Sequence, residues 1–192
     1  MNAVVIILLM AIFIGNGYSQ STCPDGGTAK IGTLEYTQNV KKNRRTIPEA
    51  YTLITCKNFL QLGDDEVGDG TAYRLSRCYV LSVTKQKRES SNCNNKDSCD
   101  WRIIVIPENT FNTIDATKYV IVEITPFFQR LNGWTDSLIE ALPEQLVDFY
   151  GYKFADIEHK NKSANSNPGK KSCWRGTINE IHPVVKFRIV TN

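Results

Sequence analysis

The sequence predicts a mainly β fold: a five-stranded Greek-key barrel of the OB type, with one short helix between strands three and four and an irregular N-terminal extension. Three observations predict it. Five runs between residues 70 and 192 have strand character, by two-residue alternation or by β-branched composition. One helical pattern interrupts them, after the third run. The first run, at about 13 residues, is longer than most strands and long enough to bend around a barrel. Three strands, a helix and two further strands is the order of the OB fold. A β-sandwich and an α+β sheet are the competing arrangements.

The elements follow in chain order. Tyr73, Leu75, Tyr79, Leu81 and Val83 alternate with Arg74, Ser76, Ser82 and Thr84, which makes the first strand half-buried. A polar, Asn-rich segment from Lys85 to Asp100 leads to a second strand at Trp101 to Ile106, stopped by Pro107. Lys118 to Thr125 is the third, stopped by Pro126. Thr135 or Asp136 caps a short helix with Leu138, Ile139 and Leu142 on one face, closed by Pro143. The fourth strand spans Gln145 to Phe154, where Gly151 suits a bulge or a close backbone approach. Glu158 to Lys171 is a loop. The fifth strand, Thr177 to Val190, places Ile181, Val185, Phe187 and Ile189 on one face and Glu180, His182, Lys186 and Arg188 on the other.

Ahead of these lies the extension, residues 20–69, expected to pack on the barrel. Residues 1–19 read as a signal peptide: Ala3 to Ile14 is an apolar core, and Gly17 and Ser19 suit cleavage before Gln20. The core is shorter than the roughly 20 residues a helix needs to span a bilayer, so no membrane insertion is expected after cleavage. Cys23 follows Gln-Ser-Thr, which does not suit lipid attachment. The expected location is secreted or periplasmic.

There, the even count of cysteines, Cys23, Cys56, Cys78, Cys93, Cys99 and Cys173, reads as disulfide-forming rather than zinc-binding. Six cysteines allow 15 pairings, of which Cys93 with Cys99 is the one suggested by proximity in sequence. Asn161-Lys-Ser163 is a glycosylation sequon. A nucleic-acid partner is possible but is not supported by a net charge of +3. The basic groups at residues 41–45 and 85–88 could each touch phosphate or an anionic surface, against the plainer reading of solvated loop or strand ends.

Several motifs together carry a resemblance. Val122-Glu-Ile-Thr-Pro126, Gly151-Tyr-Lys-Phe154, Asp156-Ile-Glu-His159, Trp174-Arg-Gly-Thr177 and Glu180-Ile-His-Pro-Val184, with Cys78-Tyr-Val80 and Glu89-Ser-Ser-Asn-Cys93-Asn94, follow one another in a fixed order. The chain in this region resembles an uncharacterised group of small exported bacterial β-proteins that end in a Glu-Ile-His-Pro-Val strand. The resemblance implies an OB-type barrel and export, and transfers no reaction. Arg102 stands where that pattern has a histidine, and Asn179 where it has a tryptophan, so a metal site built on the missing histidine is not implied here.

For chemistry, the candidate catalytic residues are Glu180, His182, Asp156 and His159. Both histidines of the chain fall in these motifs and could join the carboxylates at a metal ion that activates water. No metal and no cofactor is expected; His159 and His182 are the residues a metal would use. The competing reading makes His182 a structural imidazole bonded to Glu180, with Pro183 marking where the strand leaves its ladder. Glu123, an acid inside an apolar strand, needs a partner, with Arg175 or Arg102 available. OB-type barrels commonly bind on strands two and three. The candidate ligand-binding residues are Trp101, Arg102, Tyr119, Lys186 and Arg188, with Phe127, Phe128 and Trp134 nearby. The expected function is a non-enzymatic binding protein for an extended polymer or a protein partner. The alternatives are a metal-dependent phosphodiester hydrolase acting through the His159/His182 region and a structural accessory protein.

Overall fold

Alternating burial resolves into six strands in a computed structural model that describes residues 23–108 and 115–191. The expected signal peptide, residues 1–19, lies outside the described residues. In chain order the elements are α1 (Leu34–Lys42), β1 (Thr52–Thr55), α2 (Cys56–Phe59), β2 (Ala72–Lys85), β3 (Trp101–Pro107), β4 (Val120–Ile124), α3 (Pro126–Leu131), α4 (Asp136–Glu140), β5 (Leu146–Ala155) and β6 (Asn179–Ile189). Strands β2 to β6 are the five expected from the sequence. They close in the order β2-β3-β4-β6-β5, with β5 pairing back onto β2. The β4–β6 pair is parallel and the other barrel pairs are antiparallel. This is a closed five-stranded barrel of the OB type, and closure leaves no free edge within it.

The length of β2 serves closure, because one strand must pair with both β3 and β5. Its register shifts between Leu75 and Cys78 against β5, and between Val80 and Ser82 against β3. Such bulges bend and twist a strand. Within the first, Arg77 has a φ of 49°, unfavourable for a residue with a Cβ. Its N–H donates to Asp148 Oδ1 at 2.9 Å, while Oδ2 accepts from Arg74 and Arg188, each at 2.8 Å. Inside the barrel, Leu75, Val80, Ile103, Val122, Phe149 and Ile181 form the buried core.

The interstrand helix α4 is the expected one, capped by the Thr135 hydroxyl, which accepts from the Leu138 N–H. A second helix, α3, precedes it. Pro126 ends β4 and also opens α3, since a proline at the first helical position sacrifices no hydrogen bond. The extension is less irregular than its composition suggests. It holds α1, α2 and β1, and β1 lies parallel to β2 from Thr52↔Tyr73 to Thr55↔Ser76.

Two expectations are corrected. Val185 does not share a face with Ile181: a register shift between Tyr150 and Gly151 moves it out to Phe128 and Tyr152, while Val184 takes the inward place. Pro183 lies within β6 at the point where its pairing is interrupted, between Ile181 and Val184 against β5 and after Ile181 against β4, as expected of a residue where the strand leaves its ladder. The Cys93–Cys99 clasp does not form either. Cys93 is bonded to Cys23, 70 residues away in sequence, and Cys56, Cys78, Cys99 and Cys173 are free thiols. Burial pushes the Cys78 thiol up, with Cys56 alongside it adding to the shift. Among the described residues, no helix is long and apolar enough to cross a membrane.

Gly151 is required where β5 meets β6. A Cβ there would stand 2.3 Å from the Pro183 carbonyl oxygen and 2.6 Å from the Ile181 side chain. Gly151→Ala is expected to cost about 1–3 kcal/mol, the usual range for overpacking. A denaturant titration reads this as a lower midpoint at constant slope. An unchanged midpoint would contradict the close approach.

Candidate functional site

Strand alternation turns Ile103, Val122 and Ile181 into the barrel and Arg102, Glu123, Glu180 and His182 onto its outside. Arg102 is paired in register with Glu123, and Ile121 with Glu180, so the charged side chains of β3, β4 and β6 form one patch. This patch is covered. Helix α1 starts at Thr33, whose hydroxyl accepts from the Tyr36 N–H. It is tied down by Asn39, whose amide donates to the Gly26 carbonyl at 3.1 Å and to Ser90 Oγ at 3.0 Å. The Cys23–Cys93 disulfide binds the same segment to the 89–93 loop. On the far side, the turn at residues 157–162 completes the cover.

Between cover and barrel runs a chain of charges of alternating sign. His159 Nδ1 meets Asp156 Oδ2 at 2.6 Å. Arg175 donates from Nη1 to Asp156 at 2.9 Å and from Nη2 to Glu180 Oε1 at 2.6 Å. The other oxygen of Glu180 lies 3.5 Å from His182 Nδ1, and Glu123 Oε2 lies 3.2 Å from that nitrogen. Glu123 Oε1 then accepts from Arg102 Nε at 2.8 Å. Asp100 faces the other ring nitrogen of His182, Nε2, at 3.5 Å and accepts from the Asn92 amide at 3.0 Å. The carboxylates lie off the N–H directions of His182, and neither ring nitrogen makes an aligned hydrogen bond. The ring is held mainly by ionic attraction.

Burial and partners decide protonation here. For His182, burial is the largest single influence and opposes charge, yet the surrounding carboxylates outweigh it and raise the group to about 10. Burial likewise works against ionised Glu123, but His182, Arg102 and Lys42 hold that carboxyl well down. Asp156 is also low despite burial, because His159 and Arg175 bond to it. Asp100 goes the other way: burial, with Glu123 and Glu89 nearby, lifts it to about 7 against the pull of His182. Burial raises Glu89 too. The hydrogen bond to Asp156 raises His159.

A cavity of about 220 Å³ opens beside this chain, lined by Lys42, Glu89, Arg102, Glu123, Asp156 and His159 among others. Burial opposes the charge on Lys42, yet Glu123, Asp156, Glu180 and Glu89 raise it well above the usual lysine range. Three of the four catalytic candidates, Glu180, Asp156 and His159, line the cavity, and His182 lies directly behind it. Of the ligand-binding candidates only Arg102 does. Trp101 is buried in the core and Tyr119 packs elsewhere, its carbonyl accepting from the Gly176 N–H. Lys186 stands over Tyr150, and Arg188 binds Asp148 on the far part of β6. These residues do not converge, because Trp101 turns into the core and Lys186 and Arg188 lie beyond the part of β6 that α1 covers. Lys42, Glu89, Asp100 and the relay role of Arg175 were missed. Asn39 and Lys42, three apart in a helix and hence on one side, were the available signal.

The two histidines do not form a shared metal site, since Asp156, Arg175 and Glu180 separate them. One group of possible ligands does exist among the described residues, Asp100, Glu123 and His182. One ligand atom from each lies within 4.8 Å of the others, with Asp100 nearer Nε2 and Glu123 nearer Nδ1 of the ring. The arrangement fits an imidazolium bracketed by acids.

Two outcomes follow. Arg175→Met, which leaves Asp156 and Glu180 buried without their shared partner, is expected to destabilise the fold by about 3–5 kcal/mol; a variant as stable as the parent would refute the relay. His182 has a folded pKa near 10 against 6.5 when unfolded. Its contribution is complete below 6.5 and is lost as pH rises toward 10, with a slope of at most about 1.4 kcal/mol per pH unit. Denaturant midpoints should fall across that window, and His182→Asn should flatten the fall. A midpoint that stays level from pH 7 to 10 would show that the ring is neutral.

Compared with protein-family models, with curated proteins and with solved structures, the chain matches none, so the geometry of this cavity is the basis for a functional reading.

Proposed function

We propose that the protein is an exported, non-enzymatic binding protein whose ligand is neutral and polyhydroxylated, such as one unit of an extended saccharide, held in the cavity between α1 and the outer face of β3, β4 and β6. The observation that carries this reading is the charge balance of the lining. Lys42, Arg102 and His159 face Glu89, Glu123, Asp156 and Glu180, with Arg175 and His182 behind. An ion entering this array would break pairs that already neutralise one another. Hydroxyl groups instead donate to the carboxylates and accept from the cations, forming charge-assisted bonds with no net charge to compensate. Trp174, half-buried, has the Arg102 and Arg175 guanidinium groups over its ring at 5.5 and 5.2 Å and His159 edge-on at 5.6 Å, and so supports the reading by holding the cations of the cavity in place.

Titration with neutral oligosaccharides, selected on a glycan array and followed by calorimetry, tests the proposal. Arg102→Ala should weaken binding about tenfold or more, the usual effect of losing a hydrogen bond to a charged group, while Lys186→Ala on the remote part of β6 leaves it unchanged. Binding to polyanions alone, or to none of these ligands, would overturn the reading.

A second reading rests on His159. Asp156 holds its Nδ1, and Nε2 makes no hydrogen bond among the described residues, the orientation of a general acid or base at the rim of a cavity. In that reading the protein hydrolyses a phosphodiester. Turnover of bis(p-nitrophenyl) phosphate, with and without divalent metal and lost in His159→Gln, would favour it over simple binding.

A further inference from the structure

The geometry points to a second ligand site, for a compact molecule bearing a tetrahedral oxyanion such as a phosphate or sulfate ester, in the cavity between the Cys23–Cys93 disulfide, Arg45 and Arg130. This cavity, of about 350 Å³, is bounded by the segment that follows α1, the 91–98 loop and the start of α3. It differs chemically from the balanced cavity over β3, β4 and β6. Its lining includes two arginines, several amides and hydroxyls, and no carboxylate. A wall of this composition favours negative charge, because nothing within it competes for the guanidinium groups.

Both arginines are under-used. A guanidinium offers five N–H donors. Arg45 gives one contact to the Cys23 carbonyl at 3.3 Å, and its nearest acid, Asp25, is 3.4 Å away and 63% exposed. Arg130 donates to Ser98 Oγ at 3.3 Å, which leaves the Ser98 O–H free to donate in turn. The side-chain amide N–H groups of Asn95 also have no partner among the described residues, where only its oxygen is engaged, by the Asp97 N–H. Two guanidinium forks, a hydroxyl and an amide therefore present donors to one space, a set that matches the several acceptor oxygens of a phosphate or sulfate.

The remaining wall says what accompanies the anion. Arg45 lies over the Phe127 ring at 5.6 Å, so an apolar surface adjoins the charged one and suits the organic part of an ester. The disulfide fixes the wall opposite, and Arg45 is attached to it through the Cys23 carbonyl. The site is thus held by covalent and ring contacts before any ligand arrives, which lowers the entropic cost of binding.

The test is calorimetric titration of the full chain with inorganic phosphate, inorganic sulfate, a phosphate monoester (glucose 6-phosphate) and a sulfate monoester (p-nitrophenyl sulfate) at low ionic strength. Saturable binding of at least one monoester is expected. It should weaken about tenfold in Arg45→Gln and in Arg130→Gln, vanish in the double variant, and fall with added salt. Which monoester binds identifies the source of the oxyanion. Arg188→Gln, an exposed arginine outside the cavity, serves as the control and should leave affinity unchanged. Absence of binding in the parent, equal loss in Arg188→Gln, or full affinity in the double variant would each overturn the proposal. Unfolding curves of the variants separate loss of ligand from loss of fold.

Discussion

A fully buried guanidinium, that of Arg175, sets the terms for the outer side of this barrel. A charge removed from water is tolerated only when partners satisfy it, and Arg175 distributes its donors with little left over. Nε goes to the Thr177 carbonyl, Nη1 to Asp156, and Nη2 to Glu180 and the Ile178 carbonyl. Those partners lie just after β5, on the 177–178 segment and at the start of β6. The guanidinium therefore fixes the spacing of two strands and the path of the chain between them. Satisfying it also creates the next requirement, because Asp156 and Glu180 become buried anions that His159 and His182 help to neutralise. The alternation of sign along the relay is the consequence of neutralising one buried charge after another.

Burying a network of this kind costs desolvation that its internal pairing has to offset, and the N-terminal extension is what takes most of it out of water. Around α1 its means are covalent and polar: the Cys23–Cys93 disulfide, the Asn39 amide on Gly26 and Ser90, and the Asn43 amide on the carbonyls of Asp25 and Ser91. A comparable device orders the 158–171 segment, which has no apolar period of its own. There Asp64 accepts from Ser163, Ser166, Thr177 and the Ile178 N–H at 2.5 to 3.2 Å. Burial works against its charge, and these donors together hold it low. Both cases show polar groups organising segments that have too little apolar surface to fold by hydrophobic burial.

That distinction decides how much could be read from sequence. Strands β2 to β6 were legible because each has an apolar face, and Gly151 because a glycine in a strand points to a close backbone approach, here to Pro183. Glu123 announced a partner by being charged among apolar neighbours, and Arg102 supplied it. Helix α1 was not legible, since its buried residues are Gln38 and Asn39 and no hydrophobic period marks them. With α1 unread, the β3–β4 face looked open, and Trp101, Tyr119, Lys186 and Arg188 looked like one surface. The Cys23–Cys93 pair was hidden by its separation of 70 residues. Val185 changed faces because a bulge, which leaves no trace in a period-two pattern, shifts the register of β6.

The same cover that buries the network also shapes what can reach it. Arg102, Glu123 and Glu180 stand on hydrogen-bonded strands, and Lys42 and Glu89 belong to a cover stapled by a disulfide, so neither wall of the cavity has to order itself around a ligand. Glu123, Glu180 and Asp156 are nearly inaccessible, whereas the His159 side chain is 38% exposed. Lys42, Glu89 and Arg102 are partly exposed as well, so the open side of the cavity runs from the 157–162 turn to the cover. Because the strand registers place Arg102 beside Glu123, opposite charges stand a few ångströms apart within it. On the binding function proposed above, such a surface rewards molecules with many closely spaced hydroxyls more than molecules with one concentrated charge, which would tie the selectivity of the cavity to the single buried guanidinium from which the relay starts.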